Sequence, residues 1–231
     1  MKKKNIDFNP FFLKLINLNS RLEFLYYNSY KIVLSNSLNF EDIFLMFFIN
    51  LKKFYINNFF LNTGKIFLNT FNFIKKINYK YKNKLFIYFP NFLLVYKYIK
   101  KFNFNSFYNN IILRKICCYI RKIEPYNKSL FNKEILITGL RSSRFNNNSL
   151  NYFFDKSRNI IKYNLLFLWD YKDIFYFFEK FNILLNFFYN YGFSSIGCEP
   201  CTRKVGIFEH IRSGRWYWEN YFSKKECGLH L

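Results

Sequence analysis

The chain has no alanine and no glutamine, only 14 acidic residues against 36 lysines and arginines, and five cysteines among 231 residues. Five cysteines in a chain of this size do not build a disulfide framework; metal ligation or thiol chemistry is the better expectation in a reducing compartment. No apolar run nears the roughly 18 to 20 residues of a membrane span, since stretches such as IFLMFFI stop at Asn50. The sequence opens MKKK, but Asn5, Asp7, Asn9 and Pro10 interrupt any apolar core of a signal peptide. The expectation is a cytoplasmic protein with no membrane segment.

What is abundant is Phe, Tyr, Ile, Asn and Lys, with aromatic residues at 25% and a formal charge of +22. Charge alone suggests a nucleic-acid or anionic-membrane surface. These residues, however, are the ones whose codons are built mostly from A and T, so base composition explains most of the bias. Lys2 to Lys4 and the pair Lys75, Lys76 then read as solvated faces, and no nucleic-acid partner is expected. The length suits one good-sized domain with a real core.

Short apolar runs alternate with helical patterns through residues 1–190, read as an α/β domain. KIVLS, NNFFLN, KLFIYFP and EILIT read as strands, and residues 41–55, 67–82, 92–101 and 111–124 as helices. Strand and helix in alternation predict a mostly parallel sheet with helices on both faces. In such sheets ligands sit beyond the carboxyl ends of the strands. That directs attention to the loops at residues 35–42 (SNSLNFED), 62–65 (NTGK) and 138–144 (TGLRSSR). Residues 191–231 differ in chemistry. They hold five of the seven glycines, two of the three tryptophans, both histidines and three of the five cysteines. This segment is expected to be the working end of the same domain.

Cys117 and Cys118 are adjacent in RKICCYIRK, and Cys198 and Cys201 form GCEPC. Two thiolate pairs can complete a tetrahedral zinc site or a cubane iron–sulfur cluster. Adjacent side chains on a helix diverge by about 100°, so they reach separate corners of a cluster more easily than one small ion. Cys227 is then a free thiol. Lys224, Lys225 and His230 near it favour the nucleophilic thiolate, while Glu226 works against it. In HIRSGRWYW, Arg212 and Arg215 stand three apart and suit forked hydrogen bonding to an anion.

The succession CC, SIGCEPCTR, RSGRWYWE and KECGLH closely resembles the assimilatory adenylyl-sulfate reductases, relatives of the phosphoadenylyl-sulfate reductases. The resemblance spans about residues 31–229 and includes SNSLNFED, LNTGK, IYFPN, LRKICCYIRKIEP and ITGLR. It implies an adenine nucleotide alpha-hydrolase-like fold with a C-terminal tail carrying the nucleophile. It also implies a two-step reduction of adenosine 5′-phosphosulfate in sulfate assimilation. By the resemblance, Cys227 attacks the sulfate sulfur, AMP leaves, and thioredoxin or a similar dithiol frees sulfite from the S-sulfo-cysteine. The implied [4Fe-4S] ligands are Cys117, Cys118, Cys198 and Cys201. The implied substrate contacts are Arg212, Arg215, Lys122 and Arg141, with Ser37 and Leu38 in the nucleotide loop. Thr63, Gly64 and His230 complete that set. Small Gly228 would let the tail pivot between substrate and reductant.

The nucleotide loops depart from the family pattern. Asn62 and Lys65 stand in LNTGK where the family has LDTGR, Asn39 and Phe40 replace small residues, Ser142 and Ser143 break the charged run after Arg141, and Tyr217 replaces a tryptophan. Two other readings compete. Enzymes of the same family that reduce the 3′-phosphorylated nucleotide keep the ECGLH thiol but lack the cluster cysteines, which are present here. A metal-bearing basic nucleic-acid-binding protein leaves Cys227 and RSGRW without work, and iron content discriminates it. The number of subunits is left open, a homo-oligomer included.

Overall fold

The computed structural model describes residues 10–29, 31–142, 151–210 and 212–219. Its six strands are β1 (Ile32–Ser35), β2 (Asn57–Leu61), β3 (Leu85–Tyr88), β4 (Ile135–Thr138), β5 (Tyr152–Asp155) and β6 (Ile160–Asn164). They form one sheet in the order β3-β2-β1-β4-β6-β5, parallel throughout except for the edge pair β5 and β6. The helices are α1 (Pro10–Asn28), α2 (Phe40–Leu51), α3 (Leu68–Lys80), α4 (Phe92–Phe102), α5 (Ile111–Cys118), α6 (Glu124–Ser129) and α7 (Tyr171–Lys180).

Alternation along the strands sends side chains to both faces. Ile32 and Leu34 of β1, with Ile135 and Ile137 of β4, meet Leu22 of α1, Phe44 of α2, Ile77 of α3 and Ile174 of α7 in the main core. Val33 and Leu136, between them, face Tyr126 and Leu130 at α6 with Phe59 of β2. A third apolar cluster joins α4, α5 and the C-terminal segment through Tyr98, Phe107, Trp216 and four cysteines. The expected mostly parallel sheet flanked on both faces is therefore present.

Several elements differ from expectation. α1 has no counterpart in the sequence reading. Its apolar residues Leu18, Leu22 and Leu25 are buried at helical spacing, Pro10 opens it as prolines do at a first helical position, and Lys14 bonds to Asp170 and Asp173 at the start of α7. The β5–β6 hairpin and α7 were likewise unassigned; Asp170 and Asp173 form a capping box that starts α7. α2 ends at Leu51 rather than running on to residue 55, and the chain leaves it through Lys53 at φ 59°. The helix expected over residues 111–124 passes through a π turn at Tyr119–Ile123 before α6 begins. Among the described residues no helix is long and apolar enough to cross a membrane.

A candidate active site at the strand ends

Parallel order brings the loops after β1, β2 and β4 to one edge of the sheet. After β1, the Ser37 N–H and hydroxyl both donate to the Asp42 carboxylate, at 2.8 and 2.6 Å. Leu38 is fully buried at φ 61°, its N–H donating to Asn36 Oδ1. That left-handed conformation is a rare one for leucine, and glycine would adopt it freely. After β4, Arg141 is buried and donates through Nε to Glu41 Oε1 at 2.9 Å. Gly139 lets the two loops close: a Cβ there would lie 2.5 Å from Asp42 Oδ1. Ser37, Leu38 and Arg141 therefore share one neighbourhood, organised by Glu41 and Asp42.

The loop after β2 goes elsewhere. Thr63 Oγ1 lies 3.1 Å from Cys198 Sγ, and the Glu199 N–H donates to the Lys65 carbonyl at 2.7 Å. Gly64, at φ 71°, makes the turn between them. NTGK is thus stitched to the GCEPC turn across 135 residues. Within that turn Cys201 N–H donates to the Cys198 carbonyl, and Trp216 N–H donates to the Cys201 carbonyl at 3.1 Å.

Cys117 and Cys118 close α5 immediately before the π turn, a distortion that often marks functional sites. All four cysteines are buried and line one cavity with Lys65, Phe107, Arg114, Arg121, Lys122 and Trp216. Both charged residues of the π turn, Arg121 and Lys122, are drawn inward. Arg121 donates to the Thr63 carbonyl at 2.7 Å. Arg114 holds Glu219 through Nε and Nη2, at 2.7 and 3.0 Å, and lies over the Trp216 ring. Among the described residues no group of three or more His, Cys, Asp or Glu side chains is placed to hold a metal ion.

Positive charge lines the cavity, but burial and the thiols' own contact dominate their behaviour. The hydrogen bond from Cys201, outweighing burial and aided by Lys122 and Thr63, holds Cys198 well below the ordinary thiol range. The same bond and burial push Cys201 up. Burial raises Cys117 despite Arg121.

Of the expected substrate contacts, Thr63, Gly64, Lys122 and Arg215 gather at the cysteine centre. Arg215 is buried, donates to Thr202 Oγ1 at 2.9 Å and packs so tightly on Gly197 that a Cβ there would lie 1.7 Å from Arg215 Nη1. Arg212 is half-buried in the turn that leads to it. Cys227 and His230, with Lys224, Lys225, Gly228 and Ser143, lie outside the described residues. Sequence reasoning missed Arg114, Arg121, Trp216 and Glu219, and saw Lys65 only as a replacement for arginine. The signal for Arg121 was its place beside the cysteine pair, and that for Glu219 its place at the end of RSGRWYWE.

The sheet order, the flanking helices and the loops at the strand ends define an adenine nucleotide alpha-hydrolase-like fold. The same fold occurs in a phosphoadenylyl-sulfate reductase from Candida auris, solved as a phosphate complex, with a TM-score of 0.68 at 19% identity over 87% of this chain and 99% of that one. Yeast FAD synthetase in complex with FAD matches with a TM-score of 0.56 at 15% identity, over 87% of this chain and 70% of that one. Residues 31–204 match the phosphoadenosine phosphosulfate reductase domain, and the chain belongs to that family. An adenosine 5′-phosphosulfate reductase of Burkholderia cepacia is 36% identical over 203 residues, covering 87% of this chain and 81% of the relative. The adenosine 5′-phosphosulfate reductase of Agrobacterium fabrum is 35% identical over 218 residues, 94% of this chain and 84% of the relative.

Proposed function

We propose that this protein reduces adenosine 5′-phosphosulfate to sulfite and AMP, using a dithiol such as thioredoxin, in sulfate assimilation. The observation that carries the reading is the meeting of Cys117, Cys118, Cys198 and Cys201 around one cavity in a chain whose relatives bear that activity in their names. For the competing 3′-phosphorylated substrate, the phosphoadenylyl-sulfate reductase from Candida auris offers a likeness of fold alone.

The residues at the centre fit a [4Fe-4S] cluster in their chemistry. Four soft sulfur donors are buried together. Lys65, Arg114, Arg121 and Lys122 surround them, Arg215 acts on Cys198, and the carboxylate ion-paired there is Glu219 on Arg114. Buried cations in such excess call for an anionic group. Trp216 Nε1 is also buried without a hydrogen-bond partner among the described residues, a donor suited to sulfur. Bound to four thiolates, the cluster would supply negative charge and a covalent tie between α5 and the C-terminal segment.

The reaction itself falls to side chains. The Cys227 thiolate attacks the sulfate sulfur, forming an S–S bond as the sulfur–oxygen bond to the phosphate breaks and AMP leaves with the electron pair. A reductant thiolate then attacks Cys227 Sγ and displaces sulfite. Its second thiol resolves the mixed disulfide, so the dithiol is oxidised and sulfur falls from the sulfate to the sulfite level. Lys122 and Arg215, with Arg212, bring the positive charge that offsets the sulfate during attack.

Replacing Cys227 with serine tests this. The Cys227→Ser protein is expected to retain its visible absorption and to bind nucleotide, yet to form no S-sulfo adduct by intact mass and release no sulfite. Wild-type turnover in that variant overturns the assignment.

A further inference from the structure

Lys65 closes the loop after β2, and its side chain does not go to water. It is 9% exposed, and its Nζ stands 3.4 Å from the centroid of the Phe104 ring and 4.7 Å from that of Phe107. Its remaining polar contact is the Phe104 carbonyl at 3.4 Å. No carboxylate is ion-paired with it among the described residues. Burial and the like charge of Arg121 push it below the ordinary lysine range, and the groups that push it back are the thiols of Cys117, Cys198 and Cys201. Its own carbonyl accepts from Glu199 in the GCEPC turn, so the charge is held in place by backbone as well as by two rings.

An ammonium placed this way is costly unless something anionic occupies the cavity it lines. Aromatic faces attract a cation but do not neutralise it. We propose that Lys65 is a fixed counter-charge for the four-thiolate group: it stabilises the loaded, anionic cysteine centre and destabilises the same protein once that group is removed. The inference rests on the proposed cofactor and goes beyond it. It assigns Lys65 a positioning role, expressed as a reversal of sign between two states of one protein.

Lys65→Met is the informative change, because methionine has similar length, no charge, and a sulfur that packs well on aromatic rings. In air-free holoprotein, Lys65→Met is expected to lose its absorption near 400 nm to a chelator about tenfold faster than wild type, the lower end of what outer partners of metal ligands contribute. After the group is stripped, the same variant is expected to melt at a higher temperature than stripped wild type. Lys65→Arg keeps the charge and is expected to follow wild type in both states. If Lys65→Met melts lower in both states, Lys65 only fills space and the inference fails. It fails too if the variant matches wild type in both, or if neither Lys65→Met nor Lys65→Gln folds even in stripped form. Wild-type protein without iron and sulfide overturns the cofactor reading and the inference with it; loaded wild type beside an indistinguishable Lys65→Met overturns the inference alone.

Discussion

Lys162, in β6 next to the edge strand, and Lys65, beside the cysteines, are buried to similar depth, at 4% and 9% exposure. Lys162 faces Asp155 at 2.7 Å, and Arg158 joins the same carboxylate at 2.8 Å. Lys65 faces rings and thiols. At the hairpin the fold supplies a counter-charge, one carboxylate shared by two cations. At the cysteine centre positive charge accumulates on three segments far apart in sequence, with Glu219 as the carboxylate on Arg114. That imbalance is the observation on which the proposed anionic group rests. Buried charge at the hairpin is thus matched within the chain, whereas at the cysteine centre the match is the proposed group.

The largest effect is expected where the cysteine centre does have an encoded partner. Arg114 and Glu219 are 0% and 3% exposed at their side chains, joined by two parallel bonds. Removing one member of such a pair leaves the other charge buried, a cost of about 3–5 kcal/mol. Arg114→Met should destabilise the protein by that amount in denaturant unfolding, and Arg114→Met with Glu219→Met should recover much of it. A single variant that unfolds like wild type would show that this pair is open to water.

A smaller loss is expected at the hairpin. Burial alone would raise the Asp155 carboxyl, but hydrogen bonds from Lys162, Ser157 and Arg158 outweigh it and hold it well below the usual carboxylate range. Lys162→Met removes one of these donors and leaves two, so the cost is about 1.5–3 kcal/mol, the scale of one charged hydrogen bond. Its pH dependence follows from the direction of the shift. A carboxylate depressed in the folded state contributes stability above its unfolded value, near about 3.9, and loses it as pH falls through the lower folded value. The gap between wild type and Lys162→Met should be full at neutral pH and close in strong acid. A gap that widens in acid would contradict the network.

The paired cysteines were legible because cysteine is scarce in a chain biased toward other residues, so its placement carries information. The loops at the strand ends followed from the alternation of strand and helix. Of the buried cations, Lys122, Arg141 and Arg215 were singled out by the motifs they sit in, whereas the burial of Lys65, Arg114 and Arg121 was not legible. In a chain with 36 lysines and arginines, the place of Lys65 in LNTGK does not tell that its side chain is buried, and Arg114 meets Glu219 across 105 residues. α1 escaped for a related reason: no acidic residue marks its first turn, and the partners of Lys14 stand in α7. The β5–β6 hairpin lacks the two-residue glycine turn that announces such pairs; residues 156–159 read KSRN, with Asn159 supplying the positive φ.

The smallest effect is expected at a third pair, which separates geometry from burial. Arg203 grips Glu209 in a fork at 2.7 and 2.6 Å, better formed than the contact at Lys162, and the Gly206 N–H joins it at 2.8 Å. Those bonds, Arg203 first and then Gly206, draw the Glu209 carboxyl down to about 2. Both side chains lie in the open, however, where solvent and salt screen the attraction. The depressed carboxyl again means a contribution present above the unfolded value and lost as pH falls toward about 2, but a slight one. Glu209→Gln is expected to leave the melting temperature unchanged within error. Its consequence should be local. The fork ties both ends of a loop that holds Ile207 and Phe208 almost wholly exposed, so the variant should be cut faster beside Phe208 by a protease that prefers aromatic residues. If Glu209→Gln instead destabilises the whole protein as much as Lys162→Met does, then the geometry of a charge pair, and not its depth, governs stability here, and the contrast between the hairpin and the cysteine centre loses its basis.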